Sequence, residues 1–244
     1  ESLPPLALDP DNEWFQVHLQ TCRRCAEMGR GKYMAGFPDL VENIDILAAL
    51  RDPQTLMMDL IERPAWVRQK VDEINRGFFA VYDRLYDAIQ LSDGSSCFGA
   101  FSLWGPGKVA KVQCDASAMF SPRMFAEFVV PALTEQCRWL DHSMFHLDGS
   151  DCIPHLDLLL SIEALDAIEW TPDPNVPPGG DPHWYDMYRH ILAEGKSVQP
   201  IGVQPDEVLP LLDAVGPEGI YIMTAFETAD QAHNLAERVD AYRK

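Results

Sequence analysis

The feature that most limits the folds open to this chain is a change of rhythm near residue 140. From there onward, short apolar runs alternate with amphipathic stretches. Residues 144–147, 167–170, 197–201 and 220–223 read as strands. The stretches 154–161, 184–194 and 205–215 read as helices, the last two followed by Gly195 and Gly216 as stop signals. Thr228 and Gln231 have the spacing of a capping box for a final helix. Strand alternating with helix means parallel βαβ units joined by right-handed crossovers. The expected class is α/β.

The earlier half is helical in pattern. After a Pro-rich, acidic lead-in over 1–12, helices are expected at 13–28, 39–50, 54–62 and 65–89, with a short strand at 33–37. Tyr82, Leu85 and Tyr86 fall on the core-facing side of the long helix. Residues 97–103 and 108–113 read as a strand pair around the turn Trp104-Gly105-Pro106-Gly107. Ser121-Pro122 starts a helix running to about Leu140. The pattern holds five or six barrel-type strands, whereas a closed (β/α)8 barrel needs eight and about 250 residues. One domain over 1–244 is expected, because 47% hydrophobic content in 244 residues suffices for one core.

Chemistry gathers at the strand ends. In His146-Leu147-Asp148-Gly149 the imidazole and carboxylate are two residues apart, so both leave one face of a strand that ends at a glycine able to turn sharply. They read as an acid–base or ligand pair, in which the Asp148 charge raises the histidine's pKa. Glu169 and Trp170 end another strand, and alternation sends only one of them inward. Glu169 in an apolar mouth is an acid candidate, and Trp170 a flat wall for a ligand. Gln199 is out of place in its apolar run and is expected to orient a substrate or a neighbour. Cys114 ends a further strand beside Asp115, and Trp104 lies in a turn able to act as a lid. These four, Cys114, Trp170, Gln199 and Trp104, are the substrate-binding candidates. Cys22-x-x-Cys25 has redox spacing, but falls on a helix with no second pair.

Charge narrows the partners. With 19 basic against 38 acidic side chains the formal net charge is -19, which repels nucleic acid and anionic membrane. No apolar run is long enough to span a bilayer. Six cysteines in so long a chain suit a reducing cytoplasm.

Several pieces together resemble the uroporphyrinogen decarboxylase superfamily, which includes cobalamin-dependent methyltransferases. They are Arg51-Asp52-Pro53 through Arg63-Pro64, Cys114-Asp115, Ser121-Pro122-Arg123-Met124-Phe125, Phe128-Val129-Val130-Pro131, His146-Leu147-Asp148-Gly149, the run 165–170 and Gly195-Lys196-Ser197. The resemblance implies a TIM-type barrel, incomplete or N-terminally truncated in this chain. The family's first strands, with an arginine motif and an essential aspartate, have no counterpart here. The chain opens on Glu1 rather than Met, consistent with an upstream portion having been removed.

The methyltransferase branch binds zinc through His-x-Cys and a distant cysteine near the last strand. His146 matches the histidine, Asp148 stands where the first cysteine would be, and the last strand ends in Met223-Thr224-Ala225-Phe226-Glu227 with no cysteine. The implied metal set is therefore His146, Asp148 and Glu227, suited to a harder divalent ion than a thiolate site. The implied activity is corrinoid-linked methyl transfer on a small methylated substrate, with the corrinoid on a partner protein and a homodimer covering any open sheet edge. Uroporphyrinogen decarboxylation and a non-catalytic binding barrel are the alternatives.

Overall fold

The computed structural model describes residues 3–242. It is a mixed α/β protein whose packing groups into two compact units. The first holds the chain up to Met144 together with Pro154–Leu165, and the second holds Phe145–Ile153 and the chain from Asp166 onward.

The first unit is built on helices α1 (Glu13–Gly29), α2 (Asn43–Arg51), α3 (Pro53–Glu62) and α4 (Pro64–Ile89). Along α4, Val67, Val71, Ile74, Phe78, Tyr82, Leu85 and Ile89 are buried at intervals of three and four residues, the helical stripe the sequence shows. Burying each large apolar side chain contributes about 1.5–3 kcal/mol. Tyr82 donates its hydroxyl to the Val109 carbonyl at 2.8 Å, and burial pushes its phenol pKa up. Tyr86 is only half-buried and donates to the Gly94 carbonyl at 2.6 Å. The lead-in is fastened to α4 by charge. Leu6 N donates to Glu73 Oε2 at 2.8 Å, and Lys70 Nζ donates to Glu73 Oε2 at 2.7 Å and to the Pro4 carbonyl at 2.8 Å.

Asp52 lies between α2 and α3 at φ 63, a left-handed value that costs a non-glycine residue energy. It compensates by capping α3, accepting from Thr55 N at 2.9 Å. Within α3, Asp59 bridges Arg51 and Arg63, and both guanidinium groups lie over Trp66. Burial alone would raise the Asp59 pKa, but the two arginines outweigh it and lower it.

The strands of this unit depart from the expected hairpin. β1 (Ser96–Phe98) pairs antiparallel with β2 (Leu103–Gly105), with Cys97 opposite Trp104. Trp104 is therefore a strand residue, not the tip of a turn, and β3 (Val109–Gln113) belongs to a separate sheet. The expected strand at 33–37 is reduced to a single bridge, Phe37 to Phe98. The helix after Ser121 is two helices, α5 (Pro122–Phe128) and α6 (Val130–Trp139). Pro131 has no amide hydrogen, and it falls in the first turn of α6, where none is needed.

The larger sheet has the order β3-β4-β5-β6, with β4 at His142–Asp148, β5 at Ala167–Thr171 and β6 at Ser197–Pro200. The division between units falls within β4. In the second unit β5 and β6 are parallel, with Glu169 opposite Gln199. The expected strand at 220–223 makes only one bridge, Val198 to Ile220. Helices α7 (Leu156–Leu160), α8 (Tyr185–Ala193), α9 (Val208–Val215) and α10 (Ala229–Tyr242) complete the chain. Gln231 accepts from Thr228 N at 3.1 Å and its own amide meets Thr228 Oγ1 at 3.3 Å, the reciprocal capping box. Among the described residues the larger sheet thus holds four strands, against the five or six barrel strands expected, and the other two form a sheet of their own. No described helix is long and apolar enough to cross a membrane.

Candidate functional site

The site lies within the second unit at the ends of β4 and β5. Phe145 and Leu147 are buried, so the intervening His146 is presented on the opposite face, 16% exposed. Its Nδ1 hydrogen bonds to Glu169 Oε2 of β5, whose side chain is completely buried. Thr171 Oγ1 donates to the other Glu169 oxygen at 2.6 Å. The carboxylate is thus fixed at both oxygens and in turn fixes the ring. His146 Nε2 is turned to the solvent-side partner, Asp148 Oδ2, at 4.0 Å, with Asp148 about half exposed.

The chain bends directly after these groups. Gly149 has φ 80 and donates to the Thr171 carbonyl at 3.0 Å, locking the end of β4 to that of β5. A Cβ there would come within 2.9 Å of Asp173 Oδ1, so glycine is required by both conformation and space. Asp173 Oδ2 accepts from Ser150 N at 2.7 Å, and that backbone hydrogen bond lowers its pKa.

A carboxylate that holds one imidazole nitrogen and leaves the other facing outward supports two kinds of chemistry. It orients a general acid–base, as in hydrolase triads. It equally orients a metal ligand, since ligating histidines donate their second nitrogen to a carboxylate. The separation of 4.0 Å between His146 Nε2 and Asp148 Oδ2 is too long for a hydrogen bond. Tetrahedral ligands with bonds of about 2.0–2.2 Å lie about 3.3–3.6 Å apart, so these two groups reach one ion only if a side chain shifts inward. One nitrogen and one oxygen donor fit a divalent cation harder than a thiolate site selects.

The remaining candidates are dispersed. Trp170 is fully buried on the β5 face opposite Glu169, with its ring 4.8 Å from that of Trp184. It packs against Trp184 in the core, while Glu169 takes the face that His146 meets. Gln199 is buried, and its Nε2 meets Met223 Sδ at 3.0 Å, so its amide contacts a neighbouring thioether. Cys114 is buried in the first unit, just past β3, as the residue capping a 3-10 turn over Asp115–Met119. Trp104 is 58% exposed on β2. Glu227 is exposed, and its amide donates to Gln231 Oε1 at 3.0 Å at the start of α10. Among the described residues it joins no group of possible ligand atoms with His146 and Asp148.

Two features escape sequence reading. Thr171 completes the carboxylate's anchoring, and its signal is its spacing of two from Glu169. In the first unit, β3 is buried along its whole length yet carries Lys111 and Gln113. Gln113 N donates to Glu42 Oε1 at 2.6 Å, and Lys111 pairs with Asp39 at 2.5 Å. Asp45 accepts from the amides of Asp115 and Ala116, both at 2.9 Å. His155 is buried against Phe125 with its ring pKa lowered by burial.

Comparison with known proteins finds no family model that matches this chain, and no curated protein that matches it.

Proposed function

We propose that this chain is an enzyme of uroporphyrinogen decarboxylase type, built on a TIM-like arrangement and working in corrinoid-linked methyl transfer on a small methylated substrate. The observation that carries the reading is the chain Thr171–Glu169–His146, in which a wholly buried carboxylate holds an imidazole at the end of a strand. Burying a carboxylate has a high desolvation cost, and strand ends are where parallel α/β folds keep their chemistry. The order of motifs along the sequence supports the family, and the six thiols suit a cytoplasmic protein.

In this reading His146 Nε2 handles the proton. Demethylating a heteroatom requires protonation of the leaving atom, or deprotonation of an accepting thiol in the reverse sense. Glu169 is a positioning residue: it holds Nδ1 protonated so that Nε2 presents a lone pair, and it stabilises the imidazolium that follows. Asp148 orients the substrate from the exposed side. A divalent metal, when bound, would be held by His146 Nε2 and Asp148 and would supply Lewis-acid polarisation of the heteroatom in place of proton transfer by that nitrogen. The methyl group's other station is a corrinoid carried by a partner protein, since no side chain is nucleophilic enough to accept it.

The test mixes the purified protein with a reduced corrinoid protein and a panel of methylated amines, thiols and ethers, following the corrinoid absorbance. Methylation by at least one donor is expected, falling by about 10²–10⁴ in His146→Ala. Absence of methyl transfer across the panel, with coproporphyrinogen formed from uroporphyrinogen instead, would assign the decarboxylase activity.

A further inference from the structure

Helix α1 carries two apolar stripes, and its own fold uses one of them. Phe15, Leu19, Cys22 and Gly29 are buried on the side that packs on α4. Away from that side, Trp14, Val17, Thr21, Cys25 and Met28 follow one another at intervals of three and four residues, so they share a face. All five are exposed, Trp14 at 74%, Val17 at 51% and Met28 at 55%. Isolated apolar residues on a surface are ordinary, but a stripe headed by a tryptophan along a whole helix marks an interaction surface. Thr21, at its centre, donates its hydroxyl to the Val17 carbonyl of its own helix at 2.8 Å, so covering it strands no donor.

Spacing and charge both say what covers this face. About Thr21 the intervals run three, four, four and three, so the stripe reads alike in both directions. A second copy of α1 laid antiparallel, with a two-fold axis at Thr21, therefore sets Trp14 against Met28 and Val17 against Cys25 at both ends. The ends of the helix also differ in sign. Asp9, Asp11 and Glu13 are exposed at its start, and Arg23, Arg30 and Lys32 are exposed at and just beyond its end, in a chain of net charge -19. Arg24 pairs with Glu27 inside the helix at 3.2 Å. Antiparallel pairing puts the acidic start of each copy beside the basic end of the other, whereas parallel pairing puts like charges together.

We propose that α1 is a self-association surface, on which a second copy of this chain docks antiparallel through Trp14, Val17, Thr21, Cys25 and Met28 to give a two-fold dimer. The homodimer expected from the sequence covers a sheet edge; this one is made by helices, and it is independent of the methyl-transfer reading.

Sedimentation equilibrium of the full chain should show a reversible monomer–dimer step at micromolar concentration, since one helix pair lies at the small end of interface sizes. Trp14→Glu should raise the Kd about 30-fold or more, the scale of an aromatic anchor. Arg30→Glu with Lys32→Glu makes both ends of the helix acidic, and Asp9→Lys, Asp11→Lys and Glu13→Lys together make both ends basic. Each of these variants should self-associate about tenfold more weakly than wild type, and a mixture of the two should form the heterodimer. Oxidation with copper phenanthroline reads the direction. Val17→Cys should give a dimer bonded from position 17 of one copy to Cys25 of the other. Wild type, whose two Cys25 thiols lie on opposite sides of the axis, should give none. A wild-type chain still monomeric at about 100 µM, a dimer indifferent to Trp14→Glu, or a bond between the two Cys25 thiols overturns the proposal. Should Trp14→Glu lose its fold by circular dichroism, the charge-reversed mixture decides alone.

Discussion

Among the described residues two glutamates are completely buried, Glu169 on β5 and Glu42 before α2, and they are buried differently. Glu169 has a partner on each oxygen, Thr171 and His146. Glu42 has the Gln113 amide on one oxygen and none on the other among the described residues. A third, Glu73, is nearly buried and accepts from Lys70, Leu6 N and Gln69. Depth of burial therefore does not set the role of a carboxylate; what it is hydrogen-bonded to does. Fixed at both oxygens against an imidazole, it orients that ring. Surrounded by donors it is a structural anion, and left half-satisfied its pKa is pushed up by burial.

Three isosteric changes sharpen this comparison, in falling order of effect. Glu169→Gln keeps the shape but loses the charge that holds His146 Nδ1–H. The methyl-transfer rate is expected to fall about 10²-fold or more, with substrate affinity changed far less. A drop in affinity alone would make Glu169 a binding residue.

Glu73→Gln should cost about 1–3 kcal/mol in urea unfolding at neutral pH, because a charge-assisted network is lost. Hydrogen bonding to Lys70 first, then to Leu6 N, lowers the Glu73 pKa to about 2. A depressed acid stabilises the fold above its unfolded pKa, about 4.3. That contribution is lost as pH falls from there through about 2. Wild type and variant should therefore converge in stability near the acid end of that window, and a gap that persists would refute the linkage.

Glu42→Gln should change stability least, by about 1 kcal/mol or less below the unfolded carboxylate pKa of about 4.3, because there an amide replaces a protonated carboxyl. The sign of the pH dependence is opposite to that of Glu73. Burial raises the Glu42 pKa, so wild-type stability from this group is complete below the unfolded pKa and declines as pH rises toward the folded one. The variant should lack that decline, and parallel stability profiles for wild type and variant would remove Glu42 from the account.

The same comparison explains what the sequence made legible. The α4 stripe, the Ser121 and Thr228 caps and the His146–Asp148 pair all rest on periods of three to four or two residues, which local side chains enforce. The pairing of Glu169 with His146 spans 23 positions, and alternation could say only that one of Glu169 and Trp170 turned inward. The β3 cluster was less visible still. Gln113 meets Glu42 across 71 positions, and a lysine inside a strand reads as a solvent-facing residue until its partners are known. Residues 33–37 and 220–223 have strand composition, yet each makes a single bridge, because pairing depends on a neighbour edge that local pattern does not encode.

The central claim is that Glu169 fixes the tautomer of His146 so that Nε2 faces outward for chemistry. Nitrogen-15 NMR of the imidazole, assigned by difference with His146→Gln, measures this directly. In the neutral ring the account predicts a proton on Nδ1 and a bare Nε2, with Glu169→Gln shifting the proton toward Nε2. A proton on Nε2 in the wild-type protein, or a spectrum unchanged by Glu169→Gln, would contradict it.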